Sequence, residues 1–178
     1  MDRYVNLQTG KEVLELSRGF NDIDNLLRET DRRPIRNLFN FLLLTEGAPS
    51  LYLGGSVINP ETPREYGDID LLAVYSNKRS SELKSRLITT QKFLDESSKV
   101  VTPRGFVVPS IQLGKSQYLV TYNGEARKYL DTRVDETFVL EPINLPPAMG
   151  VVAVGSPIEL CLTSLENFER DYRKVEKK

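Results

Sequence analysis

Apolar side chains at helical spacing dominate the first 48 residues of the chain. Between residues 11 and 30 they recur as they do on one face of an amphipathic helix. A second run of this kind follows Pro34, which suits the first turn of a helix, and continues to Leu44. Gly47-Ala48-Pro49 then interrupts the pattern. We therefore predict an N-terminal layer of helices over residues 1–48.

Short apolar runs bounded by turn residues follow. Leu51-Tyr52-Leu53 and the run at 71–75 predict two buried strands. Asn123-Gly124 is the strongest hairpin signal in the chain, because it lies between two extended arms. These elements predict a sheet over residues 50–142. Its other expected parts are hairpin arms at 116–122 and 125–134, a helix over Ser81–Leu94, a short strand at 104–108, and residues 138–140 as an extension of the second arm or a further strand.

The last segment, residues 156–178, again has apolar positions that fit a helix. Ser156-Pro157 has the composition of an N-cap followed by a first helical residue, and leucines and Phe168 follow it. Strands with helices before, between and after them indicate the α/β or α+β class, with a mixed β-sheet and helices packed on one face. The length predicts a single domain over residues 1–178.

Candidate chemistry is concentrated at the first two expected strands. Gly54-Gly55-Ser56 ends the first strand, and Asp68-Ile69-Asp70 begins the second after the spacer Val57 to Gly67. Paired glycines let backbone N–H groups approach an anionic ligand closely. Aspartates at i and i+2 of a strand point to the same side of the sheet. Carboxylates at the start of a buried strand are costly without a partner, so the pattern indicates a phosphate cradle facing a divalent-cation site.

This pattern resembles the nucleotidyltransferase superfamily with a DNA-polymerase-beta-like catalytic core. The family signature is a hydrophobic residue, Gly-Gly or Gly-Ser, a short spacer and Asp-x-Asp in a strand, and the match covers residues 51–75. The resemblance implies that Asp68 and Asp70 bind two magnesium ions, with manganese as the alternative. It implies that Gly54, Gly55 and Ser56 hold a nucleoside triphosphate. The implied reaction transfers a nucleoside monophosphate to an acceptor hydroxyl and releases pyrophosphate, and a small stand-alone member fits the length.

The resemblance also implies a third carboxylate on a later strand. Asp131, in the second arm of the expected hairpin, is favoured over Asp135, which lies closer to where the extended pattern becomes irregular. A shift of one residue in register would exchange their faces. A cation near the leaving group would help the reaction. Arg64 in the spacer is the candidate, with an exposed loop arginine as the equal alternative.

The spacer departs from the family pattern. Pro63 would cut short the helix that usually follows the glycine turn, so the spacer is predicted to be an abbreviated helix or a loop. Ile58 and Asn59 stand where the tRNA-nucleotidyltransferase and poly(A)-polymerase branch has arginine and aspartate. The alternatives to an active enzyme are therefore a nucleotide- or partner-binding module of the same fold, and a small structural or interaction protein in which Gly-Gly-Ser is only a turn. The acceptor is open among an RNA end, a protein and a small molecule.

Composition removes several other classes of function. The chain has 24 Lys and Arg against 25 Asp and Glu, a net charge of −1, so its charge does not indicate nucleic acid as a partner. It has no histidine and a single cysteine, Cys161, which excludes histidine catalysis, histidine zinc sites and an intrachain disulfide. No run approaches the roughly 18–20 apolar residues of a membrane span, and the start lacks the apolar core of a secretory signal. The sequence therefore predicts a soluble cytoplasmic protein with no membrane partner.

Overall fold

The computed structural model describes residues 1–16, 21–44, 49–76, 98–101, 107–114, 116–123, 136–143 and 155–176. The expected helix over Ser81–Leu94 and the expected hairpin arm at 125–134 lie outside these residues. The described part of the chain contains ten β-strands, three α-helices and one 3₁₀ turn.

The ten described strands form one mixed sheet. Across the sheet their order is β10-β1-β2-β3-β4-β9-β8-β7-β6-β5. The pair β4–β9 is parallel, and the other neighbouring pairs are antiparallel. This mixed sheet with helices confirms the α+β class. In chain order the strands are β1 (Arg3–Asn6), β2 (Glu12–Glu15), β3 (Ser50–Gly54), β4 (Ile69–Tyr75), β5 (Ser98–Val101), β6 (Val107–Leu113), β7 (Ser116–Asn123), β8 (Glu136–Pro142), β9 (Ile158–Ser164) and β10 (Tyr172–Lys174).

Two N-terminal helices, α1 (Asn21–Leu26) and α2 (Glu29–Leu44), cover one face of the sheet. The inward side of α2 is buried at Ile35, Leu38, Phe39 and Leu42, which is the spacing of one helical face. These side chains belong to the main hydrophobic core, together with apolar residues of the central strands. Full burial of each large apolar side chain is worth about 1.5–3 kcal/mol, so this packing holds the helices on the sheet.

The strand β4 divides its side chains between the two faces of the sheet. Ile69, Leu71, Ala73 and Tyr75 belong to the main core under α1 and α2. Leu72 and Val74 belong to a smaller cluster on the opposite face, which the C-terminal helix α3 (Leu165–Asp171) covers through Phe168. The prediction that the helices pack on one face is therefore wrong for α3. Because Asp70 alternates in step with Leu72, its side chain lies on the face away from the N-terminal helices. Asp70 and the N-terminal helices therefore lie on opposite faces of the sheet.

The start of the predicted N-terminal helical layer is wrong. Residues 3–15 form the antiparallel pair β1–β2, in which Tyr4 faces Val13. Val13 packs in the smaller cluster and Leu14 in the main core, so the two side chains alternate between faces as in a strand. The turn between the strands uses Gly10, whose φ is +69°, and the Asn6 side chain accepts hydrogen bonds from the backbone N–H groups of residues 8 and 9.

The predicted start of the second helix at Pro34 is also wrong, since α2 begins at Glu29. Pro34 lies inside the helix, where it has no N–H to donate. Glu29 and Asp31 occupy the first turn, where acidic side chains interact favourably with the helix dipole. The polar stretch before Pro34 is therefore the first turn of α2.

The helix predicted over residues 156–178 is wrong for most of its length. The segment forms β9, α3 and β10 in turn. Ile158, Leu160 and Leu162 face the main core while Cys161 faces the smaller cluster, which is the two-residue period of a strand. The helix begins only after Ser164, whose side-chain oxygen accepts a hydrogen bond of 3.2 Å from the backbone N–H of Asn167.

The strands predicted in the middle of the chain are confirmed where the structure describes them. β3 and β4 include the runs at 51–53 and 71–75, and β7 includes the first hairpin arm. Residues 138–140 lie in β8, which pairs with β7. β6 begins at Val107, within the expected short strand, and extends beyond it. Among the described helices, none is long and apolar enough to cross a membrane.

Candidate active site

The antiparallel pair β3–β4 brings the glycine turn and the aspartates together. Gly54, the last residue of β3, is the register partner of Asp70. Gly55 follows with a φ of +67°, a backbone conformation that favours glycine. A Cβ atom on Gly55 would overlap Oδ2 of Asp70 and lie 3.0 Å from its Cγ. Gly55 is therefore required both by its backbone conformation and by the carboxylate that lies against it.

The Asp70 carboxyl group is partly buried and electrostatically strained. Burial, followed by the Asp68 and Glu159 carboxylates, raises the pKa of Asp70 to about 6, and Lys11 acts in the opposite direction. Proximity of like charges disfavours ionisation, whereas a cation favours it. The ionised form of Asp70 is therefore energetically unfavourable. A cation bound beside it would stabilise that form.

Asp68 and the glycine turn lie beside Asp70, as expected. Asp68 is exposed just before β4, and its charge contributes to the raised pKa of Asp70. Ser56 is exposed in the 3₁₀ turn Gly55–Ile58. That turn ends before Pro60 and Pro63. The spacer was predicted to be an abbreviated helix or a loop, and the structure has a single 3₁₀ turn at its start.

Arg64 lies in the spacer loop with an exposed side chain and a φ of 64°. Its backbone carbonyl accepts a hydrogen bond of 2.9 Å from Nε of Arg28, which holds this part of the loop. The contact involves the backbone of Arg64 and leaves the role of its side chain at a phosphate as a prediction.

Glu159 is a candidate site residue that the sequence analysis missed. It is the register partner of Asp70 across the parallel pair β4–β9, so the two side chains share a face of the sheet. It was missed because residues 156–178 were assigned to a helix. A usable signal was present, since Glu159 is the polar residue between Ile158 and Leu160 in the alternation that is typical of a strand.

The predicted third carboxylate, Asp131, and its rival Asp135 lie outside the described residues. Both edges of β4 are occupied, by β3 on one side and β9 on the other. A role for the Asp131 side chain in the site stays a prediction.

Two adjoining depressions open beside Gly55. The narrower one, of about 30 Å³, is lined by Gly54, Asp70 and Tyr172 among others, and it has room for a water molecule or a single ion. The wider one, of about 370 Å³, is lined by Arg3 and residues 58–60. Lys11, Glu12 and Gly55 line both. The N-terminal strand pair, which the sequence analysis had assigned to a helix, thus supplies basic side chains to the site.

The site offers only oxygen ligands, which suit magnesium or manganese. Asp68, Asp70 and Glu159 are the side chains that could hold such an ion. Among the described residues, no three Cys, Asp or Glu side chains lie close enough together to form a metal-binding group. A complete site therefore requires a further ligand or a small movement of these carboxylates.

Comparisons of the chain with protein-family models, with curated proteins and with solved structures find no match.

Proposed function

We propose that the protein is a magnesium-dependent nucleotidyltransferase with a polymerase-beta-like core. It would transfer a nucleoside monophosphate from a nucleoside triphosphate to an acceptor hydroxyl and release pyrophosphate. The observation that carries the proposal is the placement of the Asp70 carboxylate against Gly55, with Gly54 as its register partner. A glycine turn for phosphate and a carboxylate for a cation thus lie side by side.

Asp68 and Asp70 are the proposed metal ligands, with Glu159 or Asp131 as the third carboxylate. Bound magnesium would neutralise the triphosphate oxygens and lower the pKa of the acceptor hydroxyl. The backbone N–H groups of the glycine turn and the Ser56 hydroxyl would bind the phosphate groups as they leave. The exposure of Gly55 and Ser56 leaves them accessible to a ligand.

Lys11 is proposed as the cation that binds the polyphosphate. It lines both depressions, and its charge acts on Asp70. Arg64 was the earlier candidate for this role, but the described contacts of Arg64 involve only its backbone. Because Lys11 and Gly55 border the same space, a polyphosphate in the wider depression would meet a charged side chain and an open backbone together.

A binding module that lacks turnover is the second candidate. It is favoured by the absence, among the described residues, of a three-carboxylate group close enough to hold a metal ion. The short 3₁₀ turn also provides fewer aligned backbone donors than a full helix. Both candidates require nucleotide binding at the same place.

Thermal unfolding with each nucleoside triphosphate, with and without magnesium or manganese, tests the shared part of these proposals. We expect a metal-dependent rise in melting temperature in the unmodified protein and none in Asp70→Asn. Glu29→Gln, which removes an exposed carboxylate from the start of α2, is the matched control and should respond as the unmodified protein does. No rise with any nucleotide would contradict both candidates.

Transfer of label from the α-phosphate separates the enzyme from the binding module. RNA ends, proteins and small hydroxylated molecules are offered as acceptors, with Asp70→Asn as the blank. Label transfer by the unmodified protein but not by Asp70→Asn supports the nucleotidyltransferase. Binding without transfer to any acceptor supports the module.

A further inference from the structure

A buried carboxylate lies beneath the sheet, outside the candidate site. Asp31, in the first turn of α2, is only 1% exposed. Its Oδ1 accepts a hydrogen bond of 2.6 Å from the backbone N–H of Ser156, and its Oδ2 accepts one of 2.8 Å from the Ser156 hydroxyl. The Tyr66 hydroxyl donates a third hydrogen bond, of 2.7 Å, to Oδ2. One side chain thus joins the N-terminal helices to two distant segments.

Arg28 also contacts the segments that contain Tyr66 and Ser156. Its backbone N–H donates a hydrogen bond of 2.8 Å to the Tyr66 hydroxyl, and its guanidinium lies 4.3 Å from the centre of the Tyr66 ring. The guanidinium also donates to the backbone carbonyls of Arg64 and Tyr66 and, at 3.4 Å, to the Ser156 hydroxyl. The hydrogen bonds of Arg28 therefore hold the end of the spacer close to the segment that leads into β9.

These two segments are the ones that lead into the candidate carboxylates. Tyr66 precedes Asp68 by two residues, and Ser156 precedes Glu159 by three. The backbone N–H of Ile69 donates a hydrogen bond of 2.9 Å to the carbonyl of Pro157, which joins the two segments directly. The hydrogen bonds of Asp31 therefore lie immediately before the point where β4 and β9 come into register.

We propose that Asp31 is a positioning residue, which sets the relative placement of the Asp68–Asp70 and Glu159 carboxylates by holding Tyr66 and Ser156. The proposal rests on the proposed function of that carboxylate site. A buried carboxylate carries a large desolvation cost, and an apolar contact of similar volume often stabilises a fold as well or better. The role of Asp31 is therefore to hold a geometry, through three directed hydrogen bonds, on the face of the sheet opposite the site.

Asp31→Asn is the test, because it keeps the volume and removes acceptor capacity. An amide NH₂ in place of Oδ2 leaves the O–H groups of Tyr66 and Ser156 without their acceptor, and in place of Oδ1 it sets a donor against the Ser156 N–H donor. Affinity for Mn²⁺ is measured by electron paramagnetic resonance at a temperature where every variant is folded. We expect Asp31→Asn to bind Mn²⁺ about tenfold or more weakly, as for residues that orient metal ligands. Ser156→Ala keeps the hydrogen bond from the backbone N–H of residue 156 to Asp31, so its affinity for Mn²⁺ should fall less.

Leu42→Val is the control for a purely structural effect. Leu42 is fully buried at the far end of α2, so its substitution lowers stability without touching the hydrogen bonds of Asp31. We expect Mn²⁺ affinity to be unchanged in this variant. Wild-type Mn²⁺ affinity in Asp31→Asn, or an equal loss in Leu42→Val, would overturn the positioning role.

Failure of the proposed function gives a different pattern. If the unmodified protein binds no metal, or if Asp70→Asn binds it equally well, the proposed metal site is contradicted. Hydrogen exchange of the Ile69 amide in the metal-free protein then decides what Asp31 does. Exchange at least tenfold faster in Asp31→Asn than in Leu42→Val, after scaling for global stability, supports the placement of the two segments by Asp31. Equal exchange in the two variants overturns it.

Discussion

Asp70 combines a partly buried position with two carboxylate neighbours, and this makes the stability of the protein depend on pH. The pKa of Asp70 in the folded state, about 6, lies above its ordinary value of 3.8. The folded state therefore binds the proton more tightly than the unfolded state, so stability falls as the pH rises from about 4 to about 6. Above about pH 6 this loss of stability is complete and no longer changes with pH.

We expect Asp70→Asn to be more stable than the unmodified protein by about 1–2 kcal/mol at pH 7–8, because it removes this loss. The advantage should shrink as the pH falls from 6 to 4. Urea unfolding at several pH values measures it, and Asp68→Asn, at an exposed residue, should show a smaller change. An advantage for Asp70→Asn that is independent of pH would show that the carboxyl group is not strained in this way.

Gly55 and Gly10 form a matched pair of glycines with positive φ, at +67° and +69°. A Cβ on Gly10 would meet nothing within 4 Å, whereas one on Gly55 would overlap the Asp70 carboxylate. Gly10→Ala should cost about 1 kcal/mol from backbone strain alone. Gly55→Ala should cost more and also weaken nucleotide binding, as measured by unfolding and by titration with a metal–nucleotide. Equal behaviour of the two variants would contradict the close approach of Asp70.

Two buried tyrosines differ in whether their hydroxyl groups are satisfied. The Tyr66 hydroxyl donates to Asp31 and accepts from Arg28, while the buried Tyr118 hydroxyl has no hydrogen-bond partner among the described residues. Tyr66→Phe should therefore destabilise the fold by about 1.5–3 kcal/mol. Tyr118→Phe should be neutral or stabilising by up to about 1 kcal/mol, because it removes an unsatisfied polar group. Denaturant unfolding of both variants compares them, and a large loss in Tyr118→Phe would contradict this account.

At the scale of elements, β9 places a further carboxylate beside the candidate site. Its parallel pairing with β4 places Glu159 next to Asp70, whereas Asp131 belongs to a segment that follows β7 in the chain. We expect Glu159→Gln to lower the pKa of Asp70 toward its ordinary value, because one of the like charges that raise it is removed. A titration of Asp70 by nuclear magnetic resonance measures this change.

The same variant tests the third metal ligand. Loss of metal–nucleotide binding in Glu159→Gln but not in Asp131→Asn would assign the third carboxylate to β9. The reverse result would assign it to Asp131, as the resemblance implied. A pKa of Asp70 that is the same in Glu159→Gln as in the unmodified protein would contradict the proximity of the two carboxyl groups.

At the scale of the whole molecule, the sheet joins the two ends of the described chain. β10 pairs with β1, and the backbone N–H of Leu7 donates a hydrogen bond of 2.8 Å to the carbonyl of Asp171. An ion pair also joins Lys174 and Asp2. Because the β1–β2 pair carries Lys11 to the candidate site, the placement of Lys11 depends on β10.

Truncation after Asp171 should therefore lower the melting temperature and weaken nucleotide binding, although it removes none of the proposed metal ligands. Hydrogen exchange of the Val5 amide should become faster, since alternate residues of β1 face β10, whereas the Asn6 N–H donates to the Lys11 carbonyl. Exchange that stays as slow as in the full chain would contradict a role for β10 in holding β1.

The sequence alone supported the pairing of Gly54-Gly55-Ser56 with Asp68-Ile69-Asp70, the strands on either side, and the shortened helix in the spacer. These features are local, because glycine freedom, the two-residue period and proline geometry act between residues close in the chain. The same local rules failed for residues 3–15 and 158–164. Their apolar residues fit either a helix or a strand, and only pairing with distant strands selected the strand.

The tertiary structure alone decided the surroundings of Asp70. Glu159 and Lys11 are separated from it by tens of residues, and each reached its place through sheet order or strand register. Nothing in the local pattern around these residues records which strands become neighbours. The sequence by itself thus determined the chemical groups of the candidate site. The register of a sheet built from distant segments determined which charged side chains lie close enough to Asp70 to change its pKa.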